Sequence, residues 1–179
     1  MYIIGKKLAV LTFVITCFSF GASAQNNALK INVISPAIKT FNIQYEHKLS
    51  SESSFQIGYF YCGYDALETD YSGYGVTPEY RLYLSETREA LNGIFIAPFL
   101  RYQEFKLTDP DGTANVNLFG GGVIFGRQWI FKEKLSMEMF VGPSYSTEKK
   151  TITSGIDDFD DILYTGYGIR AGSCLGLAF

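Results

Sequence analysis

The chain has 179 residues, 47% of them hydrophobic and 18% charged, with 15 Lys and Arg against 18 Asp and Glu. That length suits one domain and leaves little room for a second. The acidic balance argues against nucleic acid as a partner.

Lys6 and Lys7 precede an apolar run from Leu8 to Phe20, followed by Gly21-Ala22-Ser23-Ala24, the small-residue pattern that signal peptidase accepts. Residues 1–24 therefore read as a cleaved signal peptide and 25–179 as a single mature domain. The apolar run is too short to cross a bilayer as a helix, which takes about 20 residues. Cys17 raises the alternative of a lipoprotein, but Val14-Ile15-Thr16 lacks the leucine and small residue that usually precede a lipidated cysteine. Loss of Lys6 and Lys7 leaves 13 basic residues against 18 acidic ones, a net charge of −5.

Beyond residue 25 the pattern is period two, punctuated by Gly, Asp, Ser and Asn, with no sustained helical period. Eight strands are expected, over 28–35, 39–48, 54–64, 75–84, 93–106, 116–130, 135–146 and 164–178. The second is the clearest: Phe41, Ile43 and Tyr45 share one face, while Thr40, Asn42, Gln44 and Glu46 share the other. An even count returns both termini to one side, as bacterial outer-membrane barrels require. Connection lengths alternate as such barrels need, with periplasmic turns at Leu49–Ser53, Ser85–Asn92 and Phe131–Lys134 and outward loops at Asp65–Tyr74, Thr108–Asn115 and Thr147–Leu163. The outward connection around Pro36–Ile38 is short against this rule. In the last strand Tyr167, Ile169, Ala171, Leu175, Leu177 and Phe179 share one face, and Gly168, Arg170, Gly172 and Gly176 the other. A strand of this kind ending in an aromatic residue looks like the signal by which the outer-membrane assembly machinery recognises its clients.

The fold class expected is all-β: an eight-stranded antiparallel up-and-down transmembrane barrel, porin-like in architecture. A sheet can span hydrocarbon only if it closes, because every backbone polar group must then find a partner within it. The lipid-facing parity would carry Leu29, Ile31, Val33, Phe41, Ile43, Phe55, Ile57, Val76, Leu82, Ile94, Ile96, Leu100, Met137, Met139, Val141 and the stripe ending at Phe179. Lys30, Glu46, Glu79, Arg81, Arg101, Glu138 and Arg170 fall on the other parity and are expected to fill a closed lumen as an ion-pair network. The pairings expected are Lys30 with Glu46, and Glu79 with Arg101 or Arg170.

Tyr45, Tyr83, Trp129, Phe131 and Phe179 are expected to form an aromatic girdle at the periplasmic interface, with Tyr59, Tyr61, Tyr102, Tyr145 and Tyr167 toward the outer rim. Pro78, Pro98 and Pro143 lie inside expected strands and call for local bulges or bends. Gly120-Gly121-Gly122 blurs the parity of the sixth strand, leaving Arg127 inward or near the rim.

Sites for chemistry are sparse. His47 is the only histidine, at the end of a strand; a catalytic role would need a nucleophile and an orienting acid within reach, with Ser50, Ser51 and Glu46 as candidates. Asp157, Asp158, Asp160 and Asp161 read as a solvated outer loop, the sharper alternative being divalent-cation contact with lipopolysaccharide phosphates. Asp109-Pro110-Asp111-Gly112 is a turn signature without calcium-loop spacing, and the glycines from 120 to 126 lack the Gly-Lys-Ser/Thr of a phosphate loop. Cys62 and Cys174 are expected as buried free thiols near opposite rims.

Leu29-Lys30-Ile31-Asn32, Gln44-Tyr45-Glu46, Gly75-Val76-Thr77-Pro78-Glu79-Tyr80-Arg81, Ala97-Pro98-Phe99-Leu100-Arg101-Tyr102 and Gln128-Trp129-Ile130-Phe131 together resemble a Bacteroidetes family of small outer-membrane β-barrel proteins, the domain of unknown function 3575 family. The resemblance implies an outer-membrane location and brings no site residues. The expected role is non-enzymatic, without cofactor: structural, or in surface interaction through outer loops, as a monomer in contact with outer-membrane lipid and lipopolysaccharide. Two alternatives stand beside it, a soluble periplasmic lipocalin-like barrel binding an apolar ligand and a membrane-embedded lipid hydrolase using His47.

Overall fold

The computed structural model describes residues 26–66, 69–84, 90–109, 112–155 and 165–179. The expected signal peptide and Asp157, Asp158, Asp160 and Asp161 lie outside these residues. Eight strands run in chain order: β1 Asn27–Asn32, β2 Thr40–Lys48, β3 Ser53–Ala66, β4 Thr69–Tyr83, β5 Gly93–Asp109, β6 Gly112–Phe131, β7 Leu135–Gly155 and β8 Gly166–Ala178. Each pairs antiparallel with its chain neighbours, and β1 closes on β8, with Ala28 opposite Ala178 and Asn32 opposite Cys174. The backbone amides of Asn27 and Phe179 each donate to the other's carbonyl at 2.9 Å, so the two ends of the sheet are sealed together at one rim.

Local chemistry sets the connections. β1 stops three residues short of its expected end because the Asn32 side chain accepts the Ile34 and Ser35 amides at 2.9 and 3.2 Å, diverting the backbone into a 3₁₀ turn over Ser35–Ile38. At the terminal rim Phe131 and Lys134 close a two-residue hairpin in which Lys132 and Glu133 have φ of 48° and 60°. That double positive φ matches the twist of the flanking strands.

The far rim departs from expectation. Asp65–Tyr74 and Thr108–Asn115 are largely paired strand: the β3–β4 ladder continues to Ala66 opposite Thr69, and β5–β6 to Asp109 opposite Gly112. β7 likewise runs on to Gly155, opposite Gly112. Loop-forming residues in these stretches are interleaved with Tyr, Thr, Val and Leu, and backbone pairing with a neighbour outweighs their individual turn preference.

The prolines do not make bulges. Recorded partners on the β4–β5 seam run Val76 to Tyr102, Glu79 to Phe99 and Leu82 to Ile96, so the ladder lapses at Pro78 and again at Pro98 while the register holds. Placing both missing donors on one seam limits the loss to that seam. Pro143 sits in a similar lapse between β6 and β7, and the register shift on that seam lies elsewhere, at Thr113 and Ala114.

Successive residues meet opposite environments. Lys30 is 0% exposed and Ile31 48%; Arg81 is 0% and Leu82 41%. Ile94, Leu100, Phe125, Met139 and Val141 are all exposed on the outside, where they form a belt far more apolar than soluble monomers present. This inversion contradicts the lipocalin-like alternative, which requires the ions outside and the apolar parity within.

Inward glycines lie beneath inward aromatic rings. A Cβ at Gly75, Gly73, Gly126 or Gly172 would strike the ring of Phe60, Phe105, Phe95 or Phe140, respectively. At Gly176, on the closing seam, a Cβ would meet backbone instead, at Leu29 O and Lys30 Cα. Gly176→Val is therefore expected to lower barrel stability in detergent by about 3 kcal/mol or block closure, while Ala171→Val, on the outer face of the same strand, leaves the unfolding midpoint within error.

Candidate functional site in the barrel lumen

The site grows from the parity of five strands. Lys30 on β1, Glu46 on β2, Glu79 and Arg81 on β4, Glu138 on β7 and Arg170 on β8 all project inward and are buried. An ionised side chain so placed is tolerated only when paired, since an isolated ion loses several kcal/mol of hydration.

Pairing is dense. Lys30 Nζ donates to Glu46 Oε2 at 2.6 Å, Glu138 Oε2 at 2.5 Å and Gln128 Oε1 at 3.2 Å. Arg81 grips Glu138 through both terminal nitrogens, Nη1 to Oε2 at 2.6 Å and Nη2 to Oε1 at 3.0 Å. Its Nε and Nη2 also reach Glu79 Oε2 at 3.2 and 2.8 Å. Arg170 Nη2 holds the other Glu79 oxygen at 2.5 Å. The Ser54 hydroxyl donates to Glu46 Oε1, and the Tyr83 hydroxyl to the same atom at 2.7 Å. Gln56 Nε2 bridges Gln44 Oε1 and Glu79 Oε2 at 3.2 and 3.1 Å.

One side of the lumen is ionic and the other aromatic. Phe95, Ala97, Phe99, Ile124 and Phe140 form a buried apolar cluster with Tyr83 and Cys174. The guanidinium carbon of Arg81 lies 4.4 Å from the Phe95 ring centre, and that of Arg170 lies 4.5 Å from Phe99 and 4.9 Å from Phe140. These are cation–π distances. Toward the far rim a second buried cluster, Leu107, Ala114, Val116 and Leu118, packs with Phe105.

Of the expected pairings, Lys30 with Glu46 is present, and Glu79 takes Arg170 together with Arg81. Arg101 is the exception: it faces inward but forms no ion pair among the described residues, and its guanidinium carbon stands 5.7 Å from the Phe99 ring centre. The interval between Phe99 and Arg101 carries Arg101 one inward step beyond Glu79, whose ladder partner is Phe99. Tyr83 also departs from expectation. It belongs to the lumen and not to a girdle, because period two puts it on the face of Arg81, where it is 5% exposed. Gln44, Ser54, Gln56 and Gln128 were missed as network members; each shares the parity of an inward charge.

Outside, Tyr45, Trp129, Phe131 and Phe179 lie on the outer face near the terminal rim, with the Tyr45 hydroxyl donating to Asn27 Oδ1 at 2.7 Å. Arg127 is settled as outward and exposed, 5.1 Å over Trp129, because even parity holds through the whole inward face of β6 despite its glycines. Toward the far rim Tyr74 and Tyr102 donate to Glu104 Oε2 at 2.7 and 3.3 Å, and Tyr145 packs edge-on against Tyr167 at 5.1 Å. His47 lies on the outer face, with Nδ1 2.8 Å from Asn27 Oδ1, whereas Glu46 faces the lumen; the two cannot act as an acid–base pair. Cys62 and Cys174 are buried and free.

Glu138 neutralises two cations at once, so Glu138→Ala is expected to cost about 3–5 kcal/mol by leaving both short of a partner. Arg101→Ala breaks no ion pair among the described residues and removes a buried donor that has no partner, so it is expected to cost far less than Glu138→Ala or to leave the barrel more stable. Chemical unfolding in detergent micelles measures both.

Comparison with known proteins gives the same architecture. The chain resembles Neisserial surface protein A at 12% identity and TM-score 0.56, over 89% of this chain and 99% of that one. It resembles the N-terminal β-barrel domain of Pseudomonas aeruginosa OprF at 12% identity and TM-score 0.51, over 88% of this chain and all of that domain. No curated protein matches the sequence. The profile of the family described as "Protein of unknown function (DUF3575)" matches residues 9–175, and the chain belongs to that family.

Proposed function

We propose that this protein is a non-catalytic barrel of the bacterial outer membrane, with a sealed lumen and a structural or surface-interaction role exercised at its far rim. The observation that carries the reading is the inversion of burial: charged side chains completely buried inside a closed sheet, and large apolar side chains exposed over its outside. In water that distribution would be costly on both counts. In a bilayer it is the favourable one, because lipid tails take the apolar face and the closed ladder leaves no unpaired strand edge.

Two aromatic bands bound the belt, as residues half in lipid and half in water do. With the chain termini on the periplasmic side, the longer hairpins β3–β4 and β5–β6 and the far end of β7 stand on the outer side, where they supply the contact surface. Lipid and lipopolysaccharide are then the immediate neighbours. Closure removes the edges through which strands associate, which favours a monomer. The ion-pair and aromatic layers fill the lumen of an eight-stranded barrel, so the wall serves as a plug and not a pore. The lipid-hydrolase reading finds no support in the placement of His47.

Membrane fractionation together with an unheated gel tests the proposal. The protein is expected to sediment with the outer membrane and to change mobility on boiling; release by osmotic shock in a heat-insensitive form would contradict it.

A further inference from the structure

The lumen network joins three carboxylates, Glu46, Glu79 and Glu138, to three cations, Lys30, Arg81 and Arg170. Arg101 adds a fourth cation to the same interior without a carboxylate of its own. Two buried guanidinium nitrogens, Arg101 Nε and Arg170 Nη1, have no hydrogen-bond partner among the described residues, and Arg170 is only 8% exposed. A buried charged donor left unsatisfied is expensive, and such atoms are few in folded proteins. The third buried atom of this kind, Gln56 Oε1, is an acceptor and belongs to a residue whose amide nitrogen is engaged in the network.

The two arginines stand against one ring. Their guanidinium carbons lie 5.7 and 4.5 Å from the centre of the Phe99 ring, so the two cations are neighbours beside one apolar ring. Across the ladder Arg101 faces Gly120 and Arg170 faces Gly142, positions without side-chain bulk. Glu79 cannot neutralise both arginines, since its oxygens already serve Arg81, Arg170 and Gln56. Glu148, on the inward parity of β7 nearer the far rim, forms no ion pair with either arginine among the described residues. Below lies the ion-pair plug and toward the far rim the apolar cluster of Leu107, Ala114, Val116 and Leu118, so an anion from the far rim has to pass that cluster, which favours a compact one.

We propose that Arg101 and Arg170 form an oxyanion site inside the barrel, selective for a compact phosphate-class anion. Guanidinium edges match the oxygen spacing of phosphate and bind it by paired, charge-assisted hydrogen bonds. One such anion supplies acceptors for both orphaned nitrogens and sets negative charge beside two neighbouring cations. The inference is independent of which task the outer hairpins perform.

The test is calorimetric titration of the full barrel in detergent with inorganic phosphate, at ionic strength fixed with chloride. One phosphate is expected to bind per barrel and to raise the unfolding midpoint. Arg101→Gln is expected to weaken binding about tenfold or more, and Arg127→Gln, on the outer face, to leave it unchanged. Guanidinium Nε resonances of the ¹⁵N-labelled parent provide a readout without substitution, with two of them shifting on addition of phosphate. Absence of saturable binding, or equal affinity in parent and Arg101→Gln, would overturn the proposal. A second arm places the barrel in nanodiscs with and without phosphatidate: unaltered titration by free phosphate supports a lumen site, and binding of lipid-borne phosphate alone overturns it.

Discussion

An ion can leave water inside a protein only in the company of its opposite, and the architecture of this barrel follows from that constraint applied inside an apolar shell. The carboxylates of Glu46, Glu79 and Glu138 sit at inward positions of three different strands, and Lys30, Arg81 and Arg170 reach across the lumen to them. Those contacts hold only if β1, β2, β4, β7 and β8 keep their parity, because a one-residue slip would carry each ion to the outside. The network therefore fixes register as well as filling space. Closure of β1 on β8 meets the complementary demand, giving every strand a neighbour on both sides.

The lumen is not uniformly ionic. Aromatic rings from β3, β5 and β7 lie over glycines of neighbouring strands, which lets a narrow cylinder hold Phe60, Phe95, Phe105 and Phe140. Phe95, Phe99 and Phe140 also face guanidinium groups, so Arg81 and Arg170 are held by both carboxylates and aromatic faces. Arg101 is where this matching fails. It receives an aromatic neighbour and, among the described residues, no ion pair, which makes the region beyond Phe99 chemically distinct from the plug beneath it.

Much of this was legible in the sequence, for definite reasons. In β2 and β8 one parity is charged, polar or glycine and the other apolar, so alternation alone gave strand, face and inward residue. In β5 both parities are apolar between Ile94 and Leu100; Phe95 and Phe99 could be placed inside only by their spacing from Arg101. Tyr83 was assigned to the surface by its nearness to a turn, although its parity with Arg81 pointed inward. Strand ends at the far rim were hidden because turn-forming Gly, Asp and Ser are mixed there with strong β-formers, and pairing across the hairpin decided the outcome. The tolerance of Pro78 and Pro98 depended on their sharing a seam, a fact of pairing that one strand's sequence does not contain.

The central claim, an apolar exterior in lipid around an ionic interior, is tested most directly by spin labels in vesicles. Nitroxides placed singly at Ile94, Leu100 and Met139, in a background with Cys62 and Cys174 replaced by serine, report collision with oxygen, which concentrates in lipid, and with a water-borne nickel chelate. The account predicts high oxygen and low nickel accessibility at all three positions. High nickel accessibility there would place the apolar face in water and contradict it.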